Sequence, residues 1–471
     1  MEQLSLIWLI ARREMRDQFR DWRIIFPMIV LTIFFPFLMN FTAREVLDFV
    51  SRYGATLIGE RLVPFLLMVV GFFPITVSLV IALEAFVGEK ERGTIEPLLS
   101  SPLKDWQLYL GKLIAATSVP LLTAYLGISV YLIGLRVQHI PFPDLGLLLQ
   151  TITLTSVQAV LMVSGAIVIS TQATSVRAAN LMSSFVIIPM ALLIQGESVL
   201  MFWGNNQVLW TAVAGVTVMA LLLVRVGLAH FQREALLGRE IDILNLRWIR
   251  ATFWLAFRGE AKSLGGWYRR EVTKTLRRLA LPISILSLLG LIGLIAGYSW
   301  ILANSSQFSL AASPDSIKKA MEMALDTPSS LQINFHYIWL HNLRAVGVIL
   351  LLGLFSFGVL GTIVFIGNIG LIGAVLALVK VLGYSPTLLA FFGILPHGIF
   401  EIPALILSSA AVLHIGLVLV TPLPGRTLGE VLLEALADWA KVGLGLVLPL
   451  LTLAAAIEVW VTPRLMLWAL K

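Results

Sequence analysis

The sequence predicts an all-α polytopic helical membrane protein of about eleven transmembrane helices, six before a polar interruption and five after it. Three observations carry this. Hydrophobic residues make up 58% of the 471 and charged residues only 13%, and mean hydropathy is +0.91, outside the habits of soluble globular chains. Apolar runs near the ~20 residues that cross a bilayer as helix recur along the chain. None of them alternates in the ~10-residue manner of a membrane barrel strand, which leaves helices as the way to pair the backbone in lipid.

In chain order, residues 1–23 read as an amphipathic segment, with Trp8, Leu9, Phe19 and Trp22 among Arg12, Arg13, Arg16, Arg20 and Arg23. No small-residue cleavage pattern follows, so the segment is expected to lie along the membrane face rather than to be removed. Spans are expected at about 24–41, 61–87, 107–136, 147–173, 177–196 and 207–231, and then at about 279–302, 344–366, 368–384, 388–419 and 442–461. The 368–384 run is short enough to be re-entrant, and an odd count of five would leave Lys471 outside. The first basic cluster, then Lys90, Arg92 and Lys104, then Arg177 all fall on one side, which the positive-inside rule makes cytoplasmic. A prokaryotic cytoplasmic membrane with the N-terminus inside is the expected location. Cysteine is absent, which excludes disulfides and thiolate metal sites.

The domain boundary falls in residues 232–278, a connector between residues 1–231 and 279–471 in which eleven Lys and Arg face five Asp and Glu. Trp248, Phe253, Trp254, Phe257 and Trp267 interleave with its arginines, as in helices held at a headgroup interface. The expected partner is anionic membrane lipid. Nucleic acid is not expected beside so many spans.

Between the second and third runs lies a charged island, GEKERGTIEPLL, in a chain that otherwise hardly uses charge. Its turn and the following Ile95, Leu98 and Leu99 suggest a short amphipathic helix projecting from the second span, with Glu89, Glu91 and Glu96 offering carboxylates to a partner. No G-x-x-x-x-G-K-[ST] phosphate loop occurs in the sequence, and Gly111-Lys112 lacks its spacing and hydroxyl. The chain therefore needs a separate nucleotide-binding subunit if ATP drives it.

The stretch EAFVGEKERGTIEPLLSSPLKDWQLYLGKLIAA resembles the signature of ABC-2 type exporter permeases, over roughly residues 1–231. STQATSVRAANLMSSFVIIPMALLIQG resembles the same family's short cytoplasmic turn and fifth helix, with Pro189 and Gly196 before an outer re-entrant stretch at about 197–206. The resemblance implies that Gly88, Glu89, Glu91, Arg92, Gly93, Thr94, Glu96, Pro97 and Leu98 form the region that docks on an ABC ATPase subunit. It also implies Mg-ATP bound by that partner rather than by this chain, and a homodimer or permease heterodimer.

In the second half, Asn342, Asn368, His397, Glu401 and Glu458 are polar groups at membrane depth, where ionisable residues are costly and hence functional candidates. His397 and Glu401 are four apart on one helix face. They can form a polar knot fixing helix packing, a proton relay or substrate lining, or part of a protease metal site. H-E-x-x-H is absent, and Pro396 and Pro403, which free carbonyls for a knot, favour the structural role. No catalytic group, resident cofactor or metal is expected. The elements Asn342, Asn368 with Gly373, LPHG at 395–398, Glu401, Ile457-Glu458 and Thr462-Pro463 resemble the stage II sporulation protein M family over about 265–463. Ile369 stands where that family has Gly, with Gly370 one step later. Some members hold cell-wall-remodelling machinery.

The expectation is a permease subunit of an ATP-binding-cassette exporter moving a lipid-linked, peptide or amphiphilic substrate outward, not itself an enzyme. The alternatives are a membrane scaffold regulating extracytoplasmic cell-wall hydrolases, and an intramembrane protease using His397 and Glu401. The charged segments at 303–341 and 421–441 read as solvated faces.

Overall fold

In hydrocarbon a backbone N–H or C=O has no water to bond, so each apolar run closes its hydrogen bonds within itself. The computed structural model describes all residues except 1, 54–55, 95–99, 174, 204–205, 232–245, 306–333, 422–425 and 470–471. Among the described residues helix is the only regular structure, and eleven helices are long and apolar enough to cross a membrane. The chain divides into two compact units, Met1–Leu244 and Asn245–Lys471.

The first unit runs α1 (Glu2–Gln18), α2 (Trp22–Tyr53), α3 (Thr56–Glu91), α4 (Asp105–Val137), α5 (Leu145–Gln172), α6 (Val176–Met182), α7 (Ser184–Trp203) and α8 (Asn206–His230). α1 is amphipathic as expected: Ile7, Ile10 and Ala11 are buried, whereas Trp8 and Leu9 are exposed. The buried face rests on α4 at Gly111, where a Cβ would come within 2.7 Å of Ile10. Val63, Leu67, Val70, Ile128, Tyr131 and Leu135 form a core among α2, α3 and α4. Asn40 is pinned there by donating to the carbonyls of Pro36 (3.0 Å) and Tyr131 (3.2 Å). α7 continues past Gly196 to Trp203 without a break, so residues 197–203 of the expected outer stretch are helix.

The second unit begins with α9 (Leu246–Arg258) and a helical stretch α10 (264–278) that opens into a π-turn at Tyr268–Val272. The spans follow: α11 (Ala280–Ala303), α12 (Phe335–Phe355), α13 (Val359–Val381), and α14 (Pro386–Val420), which contains a π-turn at Leu389–Ile394. α15 (Leu428–Val442) leads through a π-turn at Gly443–Val447 into α16 (Leu448–Trp460), and α17 is Thr462–Ala469. The eighth and ninth spans begin earlier than the apolar runs at 344–366 and 368–384 suggest. The uninterrupted hydrophobicity there hides a break at Ser356–Gly358, where Gly358 takes φ +89° and Phe357 φ +52°. α13 is a full-length helix rather than a re-entrant piece, and no turn occurs at Asn368.

α11 and α13 approach each other closely. A Cβ on Gly373 would lie 2.0 Å from the Leu294 carbonyl oxygen, and one on Gly297 would lie 2.0 Å from that of Gly370. Such small-residue seams let backbones meet where lipid supplies no hydrophobic drive between helices. Gly373→Ala is expected to destabilise the unit by about 1–3 kcal/mol through overpacking. Gly367→Ala, where nothing lies within 4 Å, should be near neutral. Thermal unfolding of the two purified variants side by side measures the difference.

The 421–441 segment is only partly the solvated face that its charges suggest. α15 starts on a capping box between Thr427 and Glu430, and exposed Arg426 pairs with Glu434. Asp438 and Lys441, however, are 4% and 5% exposed. Val431, Ala435 and Val442 are buried along α15 beside them, and the two charges neutralise each other there.

Candidate functional site

The charged island is a continuation of the second span. α3 carries Gly88, Glu89, Lys90 and Glu91 as helix, and only Arg92–Thr94 make the turn. It ends in a Schellman motif: the Thr94 N–H donates to the Glu89 carbonyl (3.0 Å) and the Gly93 N–H to that of Lys90 (3.2 Å), with Gly93 at φ +68°. Glu96, Pro97 and Leu98, with Ile95 and Leu99, lie outside the described residues.

Lys112 organises the base of the island. It is 2% exposed, and its Nζ donates to Glu89 Oε1 (2.9 Å), to the Ala85 carbonyl (2.8 Å) and to Glu14 Oε1 (3.3 Å). The ammonium also stands over the Phe86 ring, 5.1 Å from its centroid. One cation thus ties α1, α3 and α4 together. Glu91 makes a second tie: its carboxylate accepts from the Val176 N–H at 2.7 Å, joining α3 to the start of α6. The two elements that suggested a resemblance, the island and the turn after the fourth span, are therefore in direct contact. Beside them, between α1 and the turn, lies a groove of about 950 Å³ onto which Arg12, Arg13, Arg16, Arg20 and Arg92 open.

Sequence reasoning treated Gly111-Lys112 as a failed phosphate loop. Its signal was available: a lysine on an apolar helix, directly after a glycine that admits α1, is costly unless acids meet it. It also missed Gln158 and Glu197, placing Glu197 in an outer stretch. Both are buried, and Gln158 Nε2 donates to the Glu197 carboxylate between α5 and α7.

In the second unit, one end gathers the sequence-predicted polar groups. Trp339 Nε1 donates to Thr452 Oγ1 (3.1 Å), Phe335 stacks on Trp460, and His397 Nδ1 lies 3.3 Å from Thr462 Oγ1. These contacts bring the start of α12, the early part of α14, the end of α16 and the start of α17 to the same end. There His397, Glu401 and Glu458 converge: a ligating atom from each lies within 4.8 Å of the others. The π-turn at Leu389–Ile394 precedes Pro396, whose missing N–H and bulky ring oppose a regular turn, and it sets where His397 points. Asn368 does not reach across, because its Nδ2 donates to Val364 of its own helix (2.9 Å). Asn342 is buried with no partner for Nδ2 among the described residues.

At the opposite end the basic segment docks on α15. Asp438 accepts from Thr275 Oγ1 (3.0 Å), Arg278 (3.1 Å) and Lys441 (2.7 Å), and the Tyr268 hydroxyl donates to the Gly445 carbonyl (2.8 Å). α9 buries none of its residues, and Trp254 and Leu255 are exposed beside Arg247 and Arg250.

Two family descriptions match the chain, one within each unit. Residues 8–223 match the family described as ABC-2 family transporter protein, and residues 285–463 match that described as Stage II sporulation protein M. An uncharacterized protein of Methanocaldococcus jannaschii is 32% identical over 136 residues, spanning 29% of this chain and 75% of the relative.

Proposed function

Because the chain belongs to the ABC-2 family transporter proteins over residues 8–223 and to the Stage II sporulation protein M family over residues 285–463, we propose that it is the membrane subunit of an ATP-driven exporter, moved by a separate ABC ATPase. The observation that carries this reading is the Lys112 cluster, which locks Glu89 of the island to α1, α3 and α4. A push on the island cannot be absorbed by a loose loop. It is delivered to three helices at once through ion pairs whose partners are mostly buried.

The exported substrate is read as lipid-linked, peptide or amphiphilic. In support, α2 leaves Phe34, Phe37 and Phe41 more than half exposed, a face suited to lipid or to a second permease half. Location in a prokaryotic cytoplasmic membrane with α1 inside accords with the basic groove. The match of residues 285–463 to the Stage II sporulation protein M family supports a second reading, a membrane scaffold that regulates an extracytoplasmic cell-wall hydrolase.

The test is purification of the full chain from its host membranes, followed by assay of ATP hydrolysis. An ABC ATPase should copurify, and Glu91→Arg, which reverses the charge facing the Val176 N–H, should lower hydrolysis about tenfold, or ~1.4 kcal/mol. Glu91→Gln keeps an acceptor and should remain near wild type. Equal ATPase recovery and hydrolysis with Glu91→Arg would sink the coupling reading.

A further inference from the structure

We propose that the end of the second unit remote from the basic segment holds one first-row divalent cation, of which Zn²⁺ is the type, ligated by His397, Glu401 and Glu458. Nothing in this depends on whether the first unit is driven by ATP.

The donor set comes from two spans that are distant in sequence, α14 and α16, and its ligating atoms already lie within 4.8 Å of one another. A tetrahedral shell with bonds of ~2.1 Å places its ligand atoms about 3.4 Å apart, so small side-chain rotations close the site. One imidazole and two carboxylates favour a borderline cation such as Zn²⁺ over Mg²⁺, which prefers an all-oxygen octahedron.

His397 is oriented for the task. Nδ1 lies 3.3 Å from Thr462 Oγ1, and the tautomer that donates the Nδ1 proton to the hydroxyl leaves the Nε2 lone pair for a metal. Such an outer hydrogen bond is the usual support of a ligating histidine. Thr462 is itself 8% exposed and starts α17, so the support is fixed by the fold.

Charge gives the second argument. Two carboxylates close together in an apolar helix bundle repel each other and lack water. Among the described residues, no Lys or Arg nitrogen stands within 4.0 Å of either one. The titratable group that faces Glu458 from α12 is His341. A divalent cation cancels both negative charges at once, which an imidazole alone does not. The three side chains are only partly buried, and three protein ligands leave the fourth tetrahedral position for water.

The experiment uses the full chain in detergent, stripped with chelator, repurified and titrated with Zn²⁺ alone, with bound metal counted by mass spectrometry. Wild type should take up one equivalent saturably and gain thermal stability on doing so. His397→Ala and the near-isosteric Glu458→Gln should each weaken binding by at least ~10- to 100-fold, and the positioning variant Thr462→Ala by about tenfold. Unfolding without metal checks that each variant is folded, and Glu458→Gln keeps the test open if His397→Ala is not. Absence of saturable uptake by wild type, or undiminished uptake by the folded Glu458→Gln chain, overturns the proposal.

Discussion

Lys112→Met is expected to cost the first unit about 3–5 kcal/mol, the usual penalty for removing one partner of a buried ion pair. The side chain is 2% exposed, whereas Glu89 and Glu14 are 13% and 20% exposed, so the loss strands two carboxylates with limited access to water. Methionine fills nearly the same volume, which keeps a cavity out of the comparison. Glu89→Gln should cost less, because the lysine retains Glu14 and the Ala85 carbonyl. The double variant should recover part of the loss, with an interaction energy of roughly 1–3 kcal/mol. Thermal unfolding of the four chains gives the cycle, and strict additivity would show that the pair is not coupled. On the exporter reading, the same substitution should also abolish stimulation of the partner ATPase in any chain that still folds, whereas Glu14→Gln should leave most of it.

The fold was largely legible because hydrocarbon imposes so few solutions. Run length and the absence of alternation sufficed for eleven helices in a six-plus-five order. What periodicity does not supply is the position of a break inside continuous apolar sequence, and Ser356–Gly358 is such a break, made by backbone conformation rather than by polarity. Half of the candidate site was legible in the same way. His397 and Glu401 share a helix face by spacing alone, but the arrival of Glu458 beside them is a tertiary fact, separated by more than fifty residues. Lys112 was visible as a residue but not as a role, since its acids come from α1 and from the end of α3. Asp438 and Lys441 were misread as solvated because three residues' separation on a helix lets opposite charges satisfy each other while buried.

Asp438→Ala should be the most damaging single change in the second unit, at about 3–5 kcal/mol. Its two oxygens accept from Thr275, Arg278 and Lys441, and Lys441, 6% exposed at its side chain, would keep only Glu271 at 4.0 Å. Arg278 contributes little to the penalty, because it is 49% exposed and water replaces its partner. Asp438→Asn preserves shape and the acceptor for Thr275, so it should cost clearly less, and the gap between the two variants isolates the desolvated lysine. Adding Lys441→Met to Asp438→Ala removes that lysine and should restore much of the stability, as apolar replacement of a whole buried pair often does. Asp438 also joins α10 to α15, so local loosening should appear first as faster amide exchange over 264–278, with α11 and α13 unaffected. Exchange that quickens uniformly through the unit would mean that the clamp is part of a single cooperative core rather than a joint between the basic segment and the bundle.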